Sequence, residues 1–461
     1  MLAALGTRIS GFFRATAPDP FVIAVLLTAL TFAMVLGLTD AGPREAVAFW
    51  SDPDEGVWRF LGFSMQMCLI LVTGHALAAS PPARRVLGAL SSVPRSAPQA
   101  AALVAFVAAA LGVLNWGLGL IAGALLARDV GGALERRGVR AHYPLLAASG
   151  YVGLLVWHGG FSGTAPLKVT TEAEIADVLP AGIDLAPIPL TETILSPLNL
   201  AATGGLLLLA PLVMALLGPK RGDEAQPRSR FMSEPDAAEA PPSPPADKPL
   251  IPRLLEDTPI VSVLLIALIG AWAFRYYLPG GGEPSGVRSL TPNTVNLTML
   301  MLGLALHGTP ARYVRAVDDA ARGCAGIILQ FPLYAGIMGM MHQSGLTAEI
   351  AAGLGAQAGA ATLPLYTFAS AGIVNLFIPS GGGQWGVQGP IAIQAAIDAG
   401  VDPAKMVMAV AYGDQLTNML QPFWALPLLA ITGVKARDIV GYTAVLMILA
   451  GLWLAACLLL F

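Results

Sequence analysis

A glycine-rich stretch at residues 379–390 combines the backbone and side chains that suit binding of a small anion. Three successive glycines leave backbone N–H groups unobstructed, and a helix that begins there presents its positive dipole end. The pattern predicts a receptor for a carboxylate, with hydroxyl and amide side chains adding hydrogen bonds; the alternative is an ordinary glycine-rich turn. The substrate-binding candidates of this region are Asn375, Ser380, Gly381, Gly382, Gly383, Gln384 and Trp385.

A second candidate site lies at Asn115, Trp116 and Gly117, again inside an apolar segment. The amide of Asn115 suits a carboxylate or, together with backbone carbonyls, a sodium ion. The alternative is an asparagine that packs helices within a seam of small residues. We expect a binding role for all three residues, and sodium is the only metal ion that the pattern favours.

Two polar interruptions of apolar segments add ionisable candidates, His158 with Ser162 in one and Asp414 with Asn418 in the other. A charged side chain is costly within a membrane, so such residues usually serve a function. Asp414 is expected to take up a proton or to help coordinate sodium, and the alternative is a capping role. His158 and Ser162 join the substrate-binding candidates. No cofactor beyond a coupling Na⁺ or H⁺ is expected, and the coupling-ion candidates are Asn115, Asn375, Asp414 and Asn418.

The composition restricts the class of protein that can hold these residues. The chain has 461 residues, of which 55% are hydrophobic and 12% charged, whereas a soluble protein carries about 25% charged residues. This argues against a soluble enzyme. The net charge of −3 offers no basic excess for a nucleic acid. No metal-binding motif, nucleophile elbow or acid pair is evident, so an enzyme is not expected.

The apolar segments predict an all-α polytopic membrane protein with about nine to eleven transmembrane helices plus two opposed re-entrant hairpins, because a spanning helix needs about 20 apolar residues. The clear candidate spans are residues 20–39, 58–79, 143–158, 191–217, 258–278, 291–307, 323–341, 405–428 and 439–461.

Loop charge predicts orientation, because cytoplasmic loops carry an excess of Lys and Arg. The arginine-rich loops expected in the cytoplasm are 80–97, 127–142 and 218–256. The acid-rich loops expected outside are 40–57 and 166–190. Segment 98–126 lies between two cytoplasmic loops, so we expect it to enter and return as two half-helices of about 14 residues, with its turn at Asn115. The N-terminus is then cytoplasmic and the C-terminus periplasmic.

Short matches between the two halves predict an inverted repeat, the architecture of secondary transporters. The sequence Gly-Val-Leu-Asn at 112–115 resembles Gly-Ile-Val-Asn at 372–375. The second hairpin is predicted at residues 363–397. The second half has an extra span before this hairpin, which reverses the direction of the chain, so the second hairpin is expected to enter the membrane from outside. The predicted organisation is an interfacial helix at 1–17, a first repeat at 18–217, a proline-rich cytoplasmic linker at 218–256 and a second repeat at 257–461.

Three motifs, at residues 115–120, 157–163 and 379–390, resemble the bacterial short-chain fatty acid transporter family, the type that takes up acetoacetate and butyrate. This family is grouped with ion transporters that have two opposed hairpins. The resemblance implies cation-coupled transport of short monocarboxylates across the bacterial inner membrane, by an elevator-type motion, and is compatible with a homodimer. Two other functions stay open: a passive channel for small organic anions, and a carboxylate/cation exchanger of the same superfamily.

Overall fold

The computed structural model describes residues 18–176, 185–219, 225–232, 248–278, 292–355 and 358–461, with a few isolated residues between 8 and 15. These residues form helices, and none of them forms a β-strand, as the sequence predicts. The α-helices are α1 (Pro20–Leu38), α2 (Pro43–Ser51), α3 (Leu61–Ala79), α4 (Pro81–Ser92), α5 (Ala97–Leu114), α6 (Trp116–Arg136), α7 (Tyr143–Gly150), α8 (Thr164–Leu167), α9 (Glu172–Ala176), α10 (Pro197–Leu217), α11 (Leu250–Glu256), α12 (Ile260–Tyr277), α13 (Pro292–His307), α14 (Pro310–Ala321), α15 (Ala325–Gln343), α16 (Leu346–Gly355), α17 (Leu363–Phe377), α18 (Gly381–Ala399), α19 (Pro403–Thr417), α20 (Pro422–Thr432) and α21 (Ala436–Leu460).

Among the described residues, seven helices are long and apolar enough to cross a membrane, or eight if the bent pair formed by α3 and α4 counts as one span. The sequence predicts nine to eleven. The difference arises because polar and glycine residues interrupt several apolar segments. The predicted span 405–428 is two helices, α19 and α20, separated by the 3₁₀ turn Asn418–Leu420 and an extended Gln421. Three shorter apolar helices are Tyr143–Leu155, Leu363–Phe377 and Phe423–Thr432.

The first hairpin consists of α5 and α6, which meet at a single extended residue, Asn115. The predicted turn position is therefore confirmed. The arms pack closely because small residues face one another: a Cβ on Gly119 would lie 2.6 Å from the Cα of Gly112. The arms have 18 and 21 residues, longer than the predicted half-helices, and each is long enough to cross a membrane. That the turn stops inside the bilayer stays a prediction.

The second hairpin consists of α17 and α18, separated by residues 378–380. Proline and serine explain the break, because Pro379 has no N–H to donate and Ser380 is extended and caps α18. The arms are joined deep inside, where Gln384 Nε2 donates to the carbonyl oxygen of Ala371 at 2.9 Å. The bounds match the predicted segment 363–397 within two residues, while its direction relative to the first hairpin stays a prediction.

The three arginine-rich loops meet at one end of the molecule. The guanidinium of Arg137 donates to the carbonyl oxygens of Ser91 and Ser92 at 3.3 Å and 3.1 Å. The N–H of Tyr143 donates to the carbonyl oxygen of Gln226 at 2.8 Å. The first hairpin therefore begins, at the start of α5, and ends, at the end of α6, at the same end of the bundle. This agrees with the loop charges, which place both flanking loops on one side.

The predicted linker 218–256 has regular structure in two of its described parts. Residues Arg228–Arg230 form a 3₁₀ turn against the end of α6, and Leu250–Glu256 is α11. The composition did not predict these two helical turns, because proline and charged residues dominate the stretch. The predicted interfacial helix 1–17 lies mostly outside the described residues.

Candidate functional site

The tip of the first hairpin is closed by its own side chains. Asn115 Oδ1 accepts hydrogen bonds from the N–H groups of Gly117 at 2.9 Å and Leu118 at 3.2 Å. The N–H of Trp116 donates to Ser162 Oγ at 3.1 Å. Asn115 thus acts as a helix N-cap, which satisfies amides that would otherwise lack a partner. The first amides of α6 are therefore occupied in this conformation.

The tip of the second hairpin leaves two amides open. Ser380 Oγ accepts from the N–H of Gly383 at 3.1 Å, and the Ser380 carbonyl oxygen accepts from the N–H of Gln384 at 2.8 Å. Within the described parts of the chain, no acceptor is hydrogen-bonded to the N–H of Gly381 or Gly382. Gly382 is exposed, and a Cβ there would find its nearest neighbour at 3.9 Å, on Thr164. The start of α18 can therefore receive an anion through its amides and its positive dipole end.

One loop, residues 157–164, contacts both tips. On one side, the N–H of Phe161 donates to the carbonyl oxygen of Val113 at 2.8 Å, next to the first tip. On the other side, a Cβ on Gly381 would lie 2.7 Å from the indole of Trp157 and 3.2 Å from His158 Cε1. Only glycine fits at this approach. The loop therefore brings His158 and Ser162 to the two predicted binding sites.

His158 and Asp414 form a buried pair, although 256 positions separate them in the sequence. Nδ1 of His158 lies 3.2 Å from Asp414 Oδ1, and both side chains are 1% exposed. His158 Nε2 accepts from the N–H of Ala165 at 2.9 Å. A nitrogen that accepts carries no proton, so the neutral ring holds its proton on Nδ1, towards Asp414. In the described chain Asp414 Oδ2 is buried and has no hydrogen-bond partner.

Asn375 joins the second hairpin to the break between α19 and α20. Its Nδ2 donates to the backbone oxygen of Asp414 at 2.7 Å and to Asn418 Oδ1 at 2.9 Å. Its carbonyl oxygen accepts from Gln421 Nε2. Asn375 and Asn418 are fully buried. The structure thus brings together three of the four coupling-ion candidates, while Asn115 lies apart at the first tip.

Two substrate-binding candidates lie away from the open amides. Gln384 is fully buried, and its Nε2 also donates to Gln388 Oε1 at 2.9 Å. Trp385 is 1% exposed and packs against Gly389 one turn along α18. Gln384 joins the two arms of the hairpin, and both side chains are buried away from the open amides of Gly381 and Gly382.

Three residues outside the predicted binding set complete the network. Gln415 Oε1 accepts from the N–H groups of His158 at 3.1 Å and Gly159 at 3.0 Å. Asn199 Nδ2 donates to the carbonyl oxygen of Gly159 at 2.8 Å. Thr164 borders Gly381, with Oγ1 3.2 Å from the position of a Cβ there. In the sequence, the feature that could have identified these three residues is a polar side chain within an apolar segment.

Broken helices that surround a buried polar network are typical of membrane carriers, in which irregular backbone lines a site within the bundle. The helices and the network together are typical of a multi-pass membrane protein of the transporter class.

Comparison with known proteins identifies the family. The sequence profile described as "Short chain fatty acid transporter" matches residues 1–461. A relative from Escherichia coli (strain K12), named for short-chain fatty acid transport, is 40% identical over 451 residues, 98% of each chain. A relative from Haemophilus influenzae with the same name is 37% identical over 453 residues, 96% of each chain. The chain belongs to the short-chain fatty acid transporter family, which confirms the resemblance of its motifs.

Two solved structures resemble the chain more remotely. The YdaH transporter of Alcanivorax borkumensis has a TM-score of 0.45 at 16% identity, with 96% of this chain and 98% of that chain covered. MtrF of Neisseria gonorrhoeae, from a class of antimetabolite efflux pumps, has a TM-score of 0.33 at 12% identity, with 96% and 97% covered. No property of the site is inferred from these two structures.

Proposed function

We propose that this chain is a secondary active transporter that carries short monocarboxylates, such as butyrate or acetoacetate, across the bacterial inner membrane by alternating access. The observation that carries the proposal is the start of α18, where two open amides lie beside the buried His158–Asp414 pair. The family of the chain supports the substrate class.

The substrate carboxylate binds at the N–H groups of Gly381 and Gly382, with Thr164 beside them. Amides at a helix start stabilise a negative charge without a basic side chain, which suits a monovalent anion. A dianion would more often recruit an arginine. The Trp157 ring, which stacks on His158 with centroids 4.4 Å apart, offers an apolar surface for a short acyl chain.

The coupling cation is a proton or a sodium ion at Asp414. Its free Oδ2 is buried, and an isolated carboxylate is costly there, so a cation that neutralises it stabilises the site. His158 contacts both Asp414 and the second tip. Neutralisation of Asp414 by a cation therefore changes the electrostatic potential where the carboxylate binds. Elevator-type movement of the hairpins would then carry both ligands together.

The test is uptake of radiolabelled butyrate into proteoliposomes under an imposed proton gradient, an imposed sodium gradient, or neither. We expect accumulation above the external concentration under one gradient. Flux that only equilibrates the two sides would instead identify a passive channel, and absence of uptake by folded protein would refute transport of this substrate.

Asp414→Asn tests the coupling site and should reduce gradient-driven accumulation at least tenfold. Asp398→Asn is the matched control, because Asp398 is an exposed carboxylate that accepts from Gln394 at 2.7 Å. Equal accumulation by both variants would remove Asp414 from the coupling site.

A further inference from the structure

Helix α4 turns away from the apolar helix that precedes it. α3 has 19 residues, close to the about 20 that a spanning helix needs, and the chain changes direction by 73° between Leu61–Leu77 and α4. At about 1.5 Å per residue, the 12 residues of α4 extend about 18 Å. At an angle of 73°, α4 advances only about 5 Å along the axis of α3. α4 therefore stays at the level of the membrane where α3 ends.

One face of α4 exposes apolar side chains. Val86 and Val93 are 62% and 61% exposed, and Ala89 is exposed between them. Val93, the C-cap, keeps helical backbone angles. Spacings of three and four residues place these side chains on one side of the helix, where they form an apolar stripe. Ser91, on the opposite side, is buried against the protein. An amphipathic helix with such a stripe is typical of the membrane interface.

The charges on this segment are all positive. Residues 80–97 contain Arg84, Arg85 and Arg95 and no acidic residue. The three arginines are exposed. Within the part of the chain that the structure describes, no carboxylate forms an ion pair with Arg85 or Arg95. These two guanidinium groups are therefore available to an anion outside the protein.

Arg84 differs from the other two arginines because a carboxylate lies in its neighbourhood. His75, near the end of α3, is within electrostatic range of both Arg84 and Asp319. The same neighbourhood holds Arg128 and Asp129, which form an ion pair at 2.9 Å. Since Asp319 offers Arg84 a negative charge from the protein itself, Arg84 is not counted among the charges available to an external anion.

The end of α4 is attached to the first hairpin. Arg137, the residue after α6, donates through Nη1 and Nη2 to the carbonyl oxygens of Ser92 and Ser91 at 3.1 Å and 3.3 Å. The last carbonyls of a helix have no partner within the helix, so the guanidinium both caps α4 and joins it to α6. The position of α4 and the position of the base of the first hairpin are therefore coupled.

We propose that α4 lies in the membrane interface and binds anionic phospholipid, with its apolar stripe among the acyl chains and Arg85 and Arg95 at the lipid phosphates. Charge complementarity selects the lipid, because two cations without a described counter-charge favour an anionic headgroup over a zwitterionic one. Arginine suits the phosphate because its planar fork matches two oxygens. Bound lipid holds α4 and, through Arg137, the base of the first hairpin.

The orientation of α4 is tested with an environment-sensitive fluorophore on the purified full-length chain, in nanodiscs of phosphatidylcholine with increasing fractions of phosphatidylglycerol. The label is attached in Val86→Cys, on the apolar stripe, or in Gly88→Cys, on an exposed side with open space for a side chain. The native cysteines are buried. We expect the emission of Val86→Cys to shift to shorter wavelength as phosphatidylglycerol increases, and that of Gly88→Cys to stay constant. Equal emission from the two positions would overturn the orientation.

Three variants of the chain labelled at position 86 test the arginines. One arginine near an anionic surface strengthens attachment about fivefold. Arg85→Gln and Arg95→Gln should therefore each raise about fivefold the fraction of phosphatidylglycerol that gives half of the emission shift. Arg84→Gln is the matched control on the same helix, and it should change this fraction less than twofold.

A measurement without a label keeps the test decisive. The unfolding temperature of the unlabelled chain should rise when phosphatidylglycerol replaces part of the phosphatidylcholine. The rise should shrink when Arg85→Gln and Arg95→Gln are combined and should persist when both residues are changed to Lys, which keeps the charges. The proposal is overturned if neither the emission nor the unfolding temperature depends on phosphatidylglycerol, or if Arg84→Gln has the same effect as the other two changes.

Discussion

Gly381→Ala is the sharpest test of the contact between the second tip and the loop 157–164. The added Cβ would lie 2.7 Å from the Trp157 indole and 3.2 Å from both His158 Cε1 and Thr164 Oγ1. An ordinary contact begins at 3.4 Å, so the indole or the tip must retreat by about 0.7 Å in a closely packed region. Overpacking of this kind costs about 1–3 kcal/mol. Expressed as a rate, the cost corresponds to a loss of about 5- to 150-fold.

The neighbouring Gly382→Ala provides a matched control. It introduces the same methyl group one position along the same helix start, but its nearest neighbour would lie 3.9 Å away, on Thr164. Both changes give the same gain in helix propensity. Initial rates of butyrate uptake, normalised to folded protein in the membrane, should fall 5- to 150-fold for Gly381→Ala and stay within about twofold for Gly382→Ala. Equal rates for the two variants would show that transport does not pass through the tip contact described above.

Three further outcomes follow from individual contacts. Asn115→Ala should lower the free energy of unfolding by about 1–2 kcal/mol through loss of the cap, while Asn115→Ser retains most of the stability; equal thermal unfolding curves for both would contradict the capping role. Asn375→Ala should lower the free energy of unfolding by about 2–4 kcal/mol, because its buried partners lose a hydrogen-bond donor. Gln394→Ala removes one member of an exposed pair on α18 and should lower the free energy of unfolding by less than about 0.5 kcal/mol. Similar melting temperatures for the two variants would contradict this difference. Cysteines at Leu114 and Gly382, both exposed near the tips, should react with an impermeant maleimide from opposite faces of oriented vesicles, and labelling from one face would refute the opposed arrangement.

The positions of the breaks in the two hairpins could be predicted because they depend on local sequence. Asn115 favours capping over helix interior, and Pro379 followed by Ser380 ends one helix and begins another. Arginine counts likewise predicted which loops meet, as Arg137 and the carbonyl oxygens of Ser91 and Ser92 demonstrate.

The partners of the buried polar groups could not be predicted in the same way. An amide such as Gln384 is equally suited to a ligand or to a neighbouring carbonyl oxygen, and only the packed fold shows that it binds Ala371. Asp414 and His158 were each recognisable as costly within a membrane, but their pairing depends on tertiary structure. Arm length was also underpredicted, because α6 continues past residue 126, the predicted end of the hairpin, to Arg136 through residues that the fold buries.

A single stretch of eight residues, 157–164, contacts the tips of both hairpins. Any ligand that shifts this stretch at one tip alters the free energy of binding at the other, and thermodynamic linkage requires the effect to be equal in both directions. Under the proposed function, binding of substrate at the second tip and the conformation of the first tip would therefore be coupled.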